Sequence, residues 1–373
     1  LASSIFSFRF RLFGKKIRVK IMQHLISGIQ QVGIGIPDAE AYFTWFRKTF
    51  GFDVKIFDDE AKASLMTRYT GGDVHARRAI LAMNMNGGGG AEIWQFTSRK
   101  TVYPDQEVKI GNLGINAVRI KCNNIKEAHQ QLKSKVKCSD LYTAPDGNHT
   151  FWITDDFGNK FKLMKGTSFF KKKDYMMGGV SGAIIGVSDM EKSIKFYSQG
   201  LGVSHVVYDK SGTFSDLGPE YDNKHFRRVL LKFSNTFTAP FSRLLGNINI
   251  ELIQSLDGTP QPRIFENRFW GDGGFIHLCF DVNNMDALKK RMHDLGNEFT
   301  VDSADTFDMG ESGGRFSYVE DPDGTLIEMV ETHKVPILKK LGWYLDLKKR
   351  GQHKPLPNWM ISAMGLNRVK DNK

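Results

Sequence analysis

Three carboxylates occupy strand-like runs where a charge is costly. Glu92 lies in AEIWQ, Glu251 in IELIQ and Glu328 in TLIEMV, and each is followed by an apolar residue, Ile93, Leu252 or Met329. A fourth run, NKFKLM, puts Lys162 before Leu163 at the corresponding point. Because successive strand residues face opposite ways, the charged residue of each pair points away from the apolar layer that its neighbour joins. A carboxylate turned into the interior of a sheet is unfavourable without a cation or several donors, so these positions are where chemistry is expected. Four further runs sort in the same way. One set is apolar throughout: Val32, Ile34, Ile36; Val118, Ile120, Cys122; Ala183, Ile185, Val187; and Leu278, Phe280, Val282. The opposite set holds Gln31, Gly33, Gly35; Ala117, Arg119, Lys121; Gly182, Ile184, Gly186; and His277, Cys279, Asp281. The first set should lie under helices, which places His277 on the same face as the carboxylates.

The elements that must position these residues come from a repeat. QVGIGIPDAEAYFTWFRKTFGF from Gln31 matches GAIIGVSDMEKSIKFYSQGLGV from Gly182, with Gly35, Asp38 and Gly51 falling on Gly186, Asp189 and Gly202. Arg77-Arg78 falls on Arg227-Arg228, and AEIWQ on IELIQ. A weaker pair joins AVRIKCNN to HLCFDVNN and DDFGNKFKLM to DPDGTLIEM. The chain therefore reads as four duplicated units. Each opens with a strand, continues into a helix capped by Asp or Asn, and ends in three strands. In the first, Asp38 caps a helix burying Tyr42, Phe43, Phe46 and Phe50, and Gly51 closes it. In the third, Asp189 caps and Ile194, Tyr197 and Leu201 form the stripe. Strands clustered after one helix favour an α+β fold.

This βαβββ grammar resembles the vicinal oxygen chelate superfamily, which includes glyoxalase I, bleomycin-resistance proteins and extradiol dioxygenases. GVSDMEKSIKFYSQGLG and VEDPDGTLIEMVE carry it most strongly, and it covers about residues 26–332. The resemblance implies four βαβββ modules paired into two domains of curved, mixed or antiparallel sheet, with helices on the convex face. Pairing adjacent modules gives an N-terminal domain over 23–168 and a C-terminal domain over 175–333, with a Lys- and Gly-rich linker near 166–180.

The superfamily's metal ligands stand on the first strand (His or Gln) and the last strand (Glu) of a module. Module one offers Gln31 and Glu92, module two Ala117 and Lys162, module three Gly182 and Glu251, and module four His277 and Glu328. With adjacent modules paired, the resemblance implies one divalent ion (Zn, Ni, Mn or Fe) in the C-terminal domain, held by His277, Glu251 and Glu328. Glu251 or Glu328 would double as proton-transfer base, and Arg228, Trp270 and Tyr318 would bind substrate. The alternatives for these residues are a core histidine at His277 and a salt bridge from Glu251 to Arg227 or Arg228. The N-terminal domain is expected to be metal-free, with Lys162 pairing Glu92 and with Arg119 and Lys121 reaching solvent. The implied function is a metal-dependent lyase or isomerase of the glyoxalase type, acting next to a carbonyl on a small molecule. An Fe(II) ring-cleaving or 4-hydroxyphenylpyruvate-type dioxygenase, and a metal-free binding or resistance protein, are the alternatives.

Composition bounds the rest. A chain of 373 residues fits two or three domains, and 40% hydrophobic with 25% charged residues is the composition of a folded chain, not a disordered one. Cys122, Cys138 and Cys279 have no close pairing, which excludes a disulfide scaffold and a cysteine zinc site. The charge of +11 gathers at the ends. Residues 1–22 hold six Lys/Arg and no acid, and residues 333–373 hold ten against two acids. Those basic segments, an N-terminal extension (1–22) and a C-terminal tail (334–373), allow weak contact with an anionic membrane but carry no specific nucleic-acid motif. Leu1 is not an initiator, so Met22 is the expected native start, and FSFRFRLFGKK lacks the unbroken apolar core of a signal peptide. A cytoplasmic location and a homodimer are expected. Pro336, Pro355 and Pro357 forbid one long C-terminal helix, so the tail should pack back on the domain. The four glycines Gly87–Gly90 read as a flexible hairpin, since no Gly-Lys-Ser/Thr ending follows them.

Overall fold

Four helix starts are fixed by the side chains the repeat singled out. In a computed structural model of the chain, Asp38 accepts from the amides of Glu40 and Ala41, Asn124 from Glu127, Asp189 from Lys192 and Asn284 from Ala287. Gly51 ends the first helix in the left-handed region at φ 73°, where a Cβ would be strained. The structure describes residues 24–171, 176–234, 239–304, 307–309, 312–338, 343–351 and 353–370. The basic extension 1–22 lies outside them. Among the described residues no helix is long and apolar enough to cross a membrane.

Module one comprises β1 (Ile26–Gly35), α1 (Ala39–Phe50), β2 (Val54–Lys62), β3 (Ala76–Met83) and β4 (Gly90–Phe96). Module two comprises β5 (Gly114–Cys122), α2 (Ile125–Leu132), β6 (Tyr142–Thr143), β7 (His149–Thr154) and β8 (Lys160–Lys165). Module three runs β9 (Met177–Gly186), α3 (Met190–Lys195), β10 (His205–Gly212), β11 (Phe226–Phe233), the short α4 (Ser242–Leu245) and β12 (Ile248–Ser255). Module four runs β13 (Gly274–Val282), α5 (Met285–Asp294), β14 (Phe299–Asp302), β15 (Phe307–Met309), β16 (Ser312–Glu320) and β17 (Leu326–Thr332). The tail adds β18 (Lys334–Leu338), β19 (Trp343–Asp346), α6 (Leu347–Arg350) and α7 (Asn358–Ala363).

The pairing of modules differs from the expected one. One sheet runs β14-β16-β17-β13-β1-β4-β3-β2, with β15 on β16, and the other runs β10-β11-β12-β9-β5-β8-β7-β6. Module four thus joins module one through antiparallel β1 and β13, and module three joins module two through antiparallel β5 and β9. Neither 23–168 nor 175–333 is a sheet of its own. Adjacent modules meet through helices instead. Tyr42 of α1 donates to Asp155 of module two at 2.5 Å, and Phe46 and Phe50 pack on Phe161 at 5.6 and 5.1 Å. Tyr197, in the turn that extends α3, donates to Asp321 of module four at 2.9 Å. The result is an α+β fold of two curved mixed sheets with helices on their convex faces.

The sorting of faces holds throughout. All twelve apolar first-strand residues, from Val32 to Val282, lie in the main core under the helices, and burial of each Val, Ile, Leu or Phe among them favours the fold by roughly 1.5–3 kcal/mol. The Gly87–Gly90 segment is buried, not a flexible hairpin. Gly88 donates to Leu244 O at 2.8 Å and Gly89 to Val180 O at 2.7 Å, and a Cβ on Gly88 would come within 2.7 Å of Gly179 C. These glycines let the backbones of modules one and three touch where the two sheets cross. The tail does pack back: Leu347, Leu356 and Ile361 cover Val54, Met83 and Met85, and Arg368 pairs with Asp53 at 3.2 Å.

Candidate metal centre

The β1–β13 junction brings four polar side chains to one point of the concave face. Gly33 stands opposite His277 across the junction, and the absent side chain leaves room for the imidazole: a Cβ there would lie 2.5 Å from His277 Cε1 and 2.7 Å from Nε2. β4 pairs with β1 and β17 with β13, both parallel, which delivers Glu92 and Glu328 from either side. His277 Nε2 lies 3.0 Å from Glu328 Oε2 and 3.3 Å from Glu92 Oε2. Ligand atoms of all three fall within 4.8 Å of one another. Gln31 Nε2 donates to Glu92 at 3.2 Å and to Glu328 at 3.4 Å.

This set fits a divalent ion. His277 Nε2 is within ion-pair distance of both carboxylates, close enough to share one cation with them. Gln31 Oε1 is buried without a hydrogen-bond partner. Such orphan atoms are rare in folded proteins and call for a reason. Charge points the same way, since two carboxylates and one imidazolium leave a buried negative charge, whereas a divalent cation with neutral imidazole leaves none. Burial alone pulls the His277 pKa down, but Glu328 and Glu92 override it and hold it at about 10. Burial conversely pushes Glu328 up, and His277 brings it below its ordinary value. A proton on His277 therefore stands in for the cation.

Support for the ring comes from β16. Tyr318, 1% exposed, has its hydroxyl 3.2 Å from His277 Nδ1 and also bonds Glu328. With Nε2 as the ligand atom, Nδ1–H donates to the tyrosine oxygen, which fixes tautomer and orientation. Edge-on aromatic contacts continue outward, His277 to Tyr318 at 5.6 Å, Tyr318 to Trp270 at 6.2 Å and Trp270 to Trp94 at 4.6 Å. Trp270 Nε1 is buried without a partner, an unused donor in the wall above the ligands.

Of the residues expected from sequence, the structure brings His277, Glu328, Tyr318 and Trp270 together and separates Glu251 and Arg228 from them. Gln31 and Glu92 complete the set in their place. Both had been matched to ligand positions, but in a domain expected to lack metal.

Glu251 and Arg228 belong to the other half-barrel, where the equivalent positions hold an ion cluster. Arg228 donates to Glu251 Oε1 through Nε at 2.7 Å and to Asp216 at 2.6 Å. Lys162 reaches Asp216 at 2.8 Å and Glu251 at 3.8 Å, and Arg119 closes on Glu251. The salt-bridge alternative for Glu251 is thus the one realised, through Arg228. Lys162 pairs with Asp216 and Glu251, not with Glu92, because its module joins module three. Arg119 and Lys121 do not reach solvent: they are 4% and 2% exposed, and Lys121 donates to Ser168 O at 2.7 Å. Burial would raise Glu251, but Arg228, Lys162 and Arg119 hold it well below the usual carboxylate range. Gly182 supplies no ligand, and a Cβ there would meet Asn249 O at 1.7 Å. Asp216 had no sequence signal, lying in an irregular turn that no periodicity marks.

Residues 179–329 match the sequence profile of the Glyoxalase/Bleomycin resistance protein/Dioxygenase superfamily. No curated protein matches the chain in sequence. Among solved structures, a proposed dioxygenase from Bacillus subtilis is similar with TM-score 0.55 and 11% identity over 94% of this chain and 99% of that one. Glyoxalase I from Zea mays is similar with TM-score 0.51 and 13% identity over 82% of this chain and 92% of that one. At such identities these likenesses establish the two-domain fold.

Proposed function

From the match of residues 179–329 to the glyoxalase, bleomycin resistance and dioxygenase superfamily, we propose that the protein is a metal-dependent lyase or isomerase acting on a proton next to a carbonyl. Gln31, Glu92, His277 and Glu328 would hold one divalent ion, which when bound would polarise a carbonyl or enediolate oxygen. The observation that carries this reading is the convergence of His277, Glu92 and Glu328, whose ligand atoms lie within 4.8 Å of one another, beside the unpartnered Gln31 Oε1. One imidazole with two carboxylates departs from the two-histidine, one-carboxylate set of non-haem iron oxygenases, which favours proton transfer over oxygen chemistry.

The side chains divide the work. Glu328 pairs with His277 at 3.0 Å and is buried, so it suits a fixed ligand. Glu92 stands farther from His277, at 3.3 Å, which suits the base that takes the substrate proton. Trp94 and Trp270 exclude water, and the Trp270 indole N–H orients a substrate oxygen.

The test is elemental analysis followed by anaerobic proton NMR in D2O with small α-oxoaldehydes and α-hydroxyketones. Bound zinc, nickel or manganese and exchange of the proton beside the carbonyl, abolished in Glu92→Gln, are expected. Iron with oxygen consumption and no anaerobic exchange would establish the dioxygenase alternative instead.

A further inference from the structure

We propose that the C-terminal tail docks the protein on an anionic lipid bilayer through the solvent face of its last helix. This rests on none of the metal-centre residues. α7 (Asn358–Ala363) continues into a 3₁₀ turn, Met364–Asn367. Its inner face is anchored: Ile361 is buried, and Met360 and Met364 pack beside it on Val54, Met83 and Met85. Its outer face carries Trp359, Ala363 and Leu366, spaced i, i+4 and i+7 and so aligned on one side. Trp359 is 66% and Leu366 86% exposed, more than any other large apolar side chain described. Basic groups surround this stripe. Arg243 donates to Asn358 Oδ1 at 3.0 Å and Arg47 to Val369 O at 3.3 Å, while the exposed Lys354 and Lys370 flank it in sequence. The nearby acids are already engaged. Asp53 is buried against Arg368 at 3.2 Å, and on β2 Asp58 and Asp59 pair with Arg78 and Arg77 at 2.8 Å each. Glu60 lies farther along β2, ~20 Å from the Val54–Arg368 bridge.

An anionic bilayer fits this face better than another protein surface. Residues 333–373 hold ten Lys/Arg against two acids, and residues 1–22 hold six against none, so like charge opposes cover by a second copy or by the N-terminal segment. A stable protein interface takes ~800 Å² from each partner, far more than two side chains provide. Seating a Trp and a Leu at headgroup depth, with Lys and Arg against negative phosphates, needs no such area.

The experiment mixes the full chain with phosphatidylcholine vesicles, made with or without phosphatidylserine, and reads co-sedimentation. Binding is expected only where phosphatidylserine is present, and high salt should release it. Brominated lipid should quench part of the tryptophan fluorescence, and Trp359→Phe should remove that quenching without releasing the chain. Trp359→Ser should weaken binding about tenfold and Lys354→Glu about fivefold or more. Both positions are exposed, so urea unfolding should match the wild type. Equal binding to both vesicles, binding to neither, quenching that survives Trp359→Phe, or wild-type binding by Trp359→Ser would overturn the proposal. The last of these would pass the lipid contact to residues 1–22. Dimerisation that Trp359→Ser abolishes, without vesicle binding, would assign the stripe to a second copy instead. None of these outcomes bears on the metal centre's activity, which Glu92→Gln tests separately.

Discussion

Replacing Gly33 by Ala probes the centre without touching a ligand. The new Cβ would stand 2.5 Å from His277 Cε1, 2.7 Å from Nε2 and 2.9 Å from Nδ1. Non-bonded heavy atoms settle near ~3.5 Å, so the ring must retreat by about 1 Å. Metal–ligand distances tolerate about 0.2 Å, and the movement is several times that. Disturbing a ligand's support lowers metal affinity by about 10- to 100-fold, and the upper end is expected here. The overpacking itself should cost about 1–3 kcal/mol of stability. Gly182→Ala is the matched control. Its Cβ would meet Asn249 O at 1.7 Å, a harder clash with backbone that falls in the other half-barrel. Titration with zinc or nickel, alongside urea unfolding, separates the two. Gly33→Ala should lose metal with modest destabilisation, and Gly182→Ala should lose stability while each folded molecule keeps its metal. Wild-type affinity in Gly33→Ala, or equal metal loss in both, would refute the assignment of the β1–β13 junction as the centre.

Other outcomes follow from the same geometry. Tyr318→Phe should weaken metal binding about 10-fold with a smaller effect on unfolding free energy, because it removes the hydroxyl that His277 Nδ1 and Glu328 share and keeps the packed ring. Glu251→Ala, measured by urea unfolding, should destabilise by about 3–5 kcal/mol, since it leaves three cations against Asp216 alone. Lys162→Met, which removes an ammonium that burial already disfavours, should cost distinctly less. Asp281 is buried and its pKa is raised to about 7, by burial first and then by Glu331, with Ser27 opposing. Between the unfolded value near ~4 and 7 the native state holds a proton that the unfolded chain has released, so this group's contribution to stability falls as pH rises through that window. Asp281→Asn should therefore gain on the wild type by a few kcal/mol between pH 4 and 8, and parallel curves would rule the shift out.

Much of this was legible in alternation. The twelve apolar first-strand residues, the four helix caps and the inward turn of Glu92, Lys162, Glu251 and Glu328 follow from period and capping chemistry that act locally. Which modules share a sheet is not local. Every module offers a similar first strand, and either pairing balances some charge: Glu92 against Lys162 if neighbours join, Glu251 against Lys162 as found. The signal that could have decided it was completeness. Modules one and four each fill both ligand positions, Gln31 with Glu92 and His277 with Glu328, while modules two and three offer only Lys162 and Glu251, which neutralise each other. Arg119 and Lys121 were expected in water because long basic chains usually escape, but here the partner module covers them.

Joining the first module to the last also sets a timetable. Gln31 and Glu328 are 297 positions apart, so at ~5–20 residues per second of synthesis the earliest donor waits roughly 15–60 s for the latest. During that interval the second and third modules can close their sheet behind it, while β1, paired with β4 on one side, keeps its β13 edge bare. A nascent chain halted after module three would own a finished inner half and an aggregation-prone strand, and chaperone capture of that species would be strongest just before the final module leaves the ribosome.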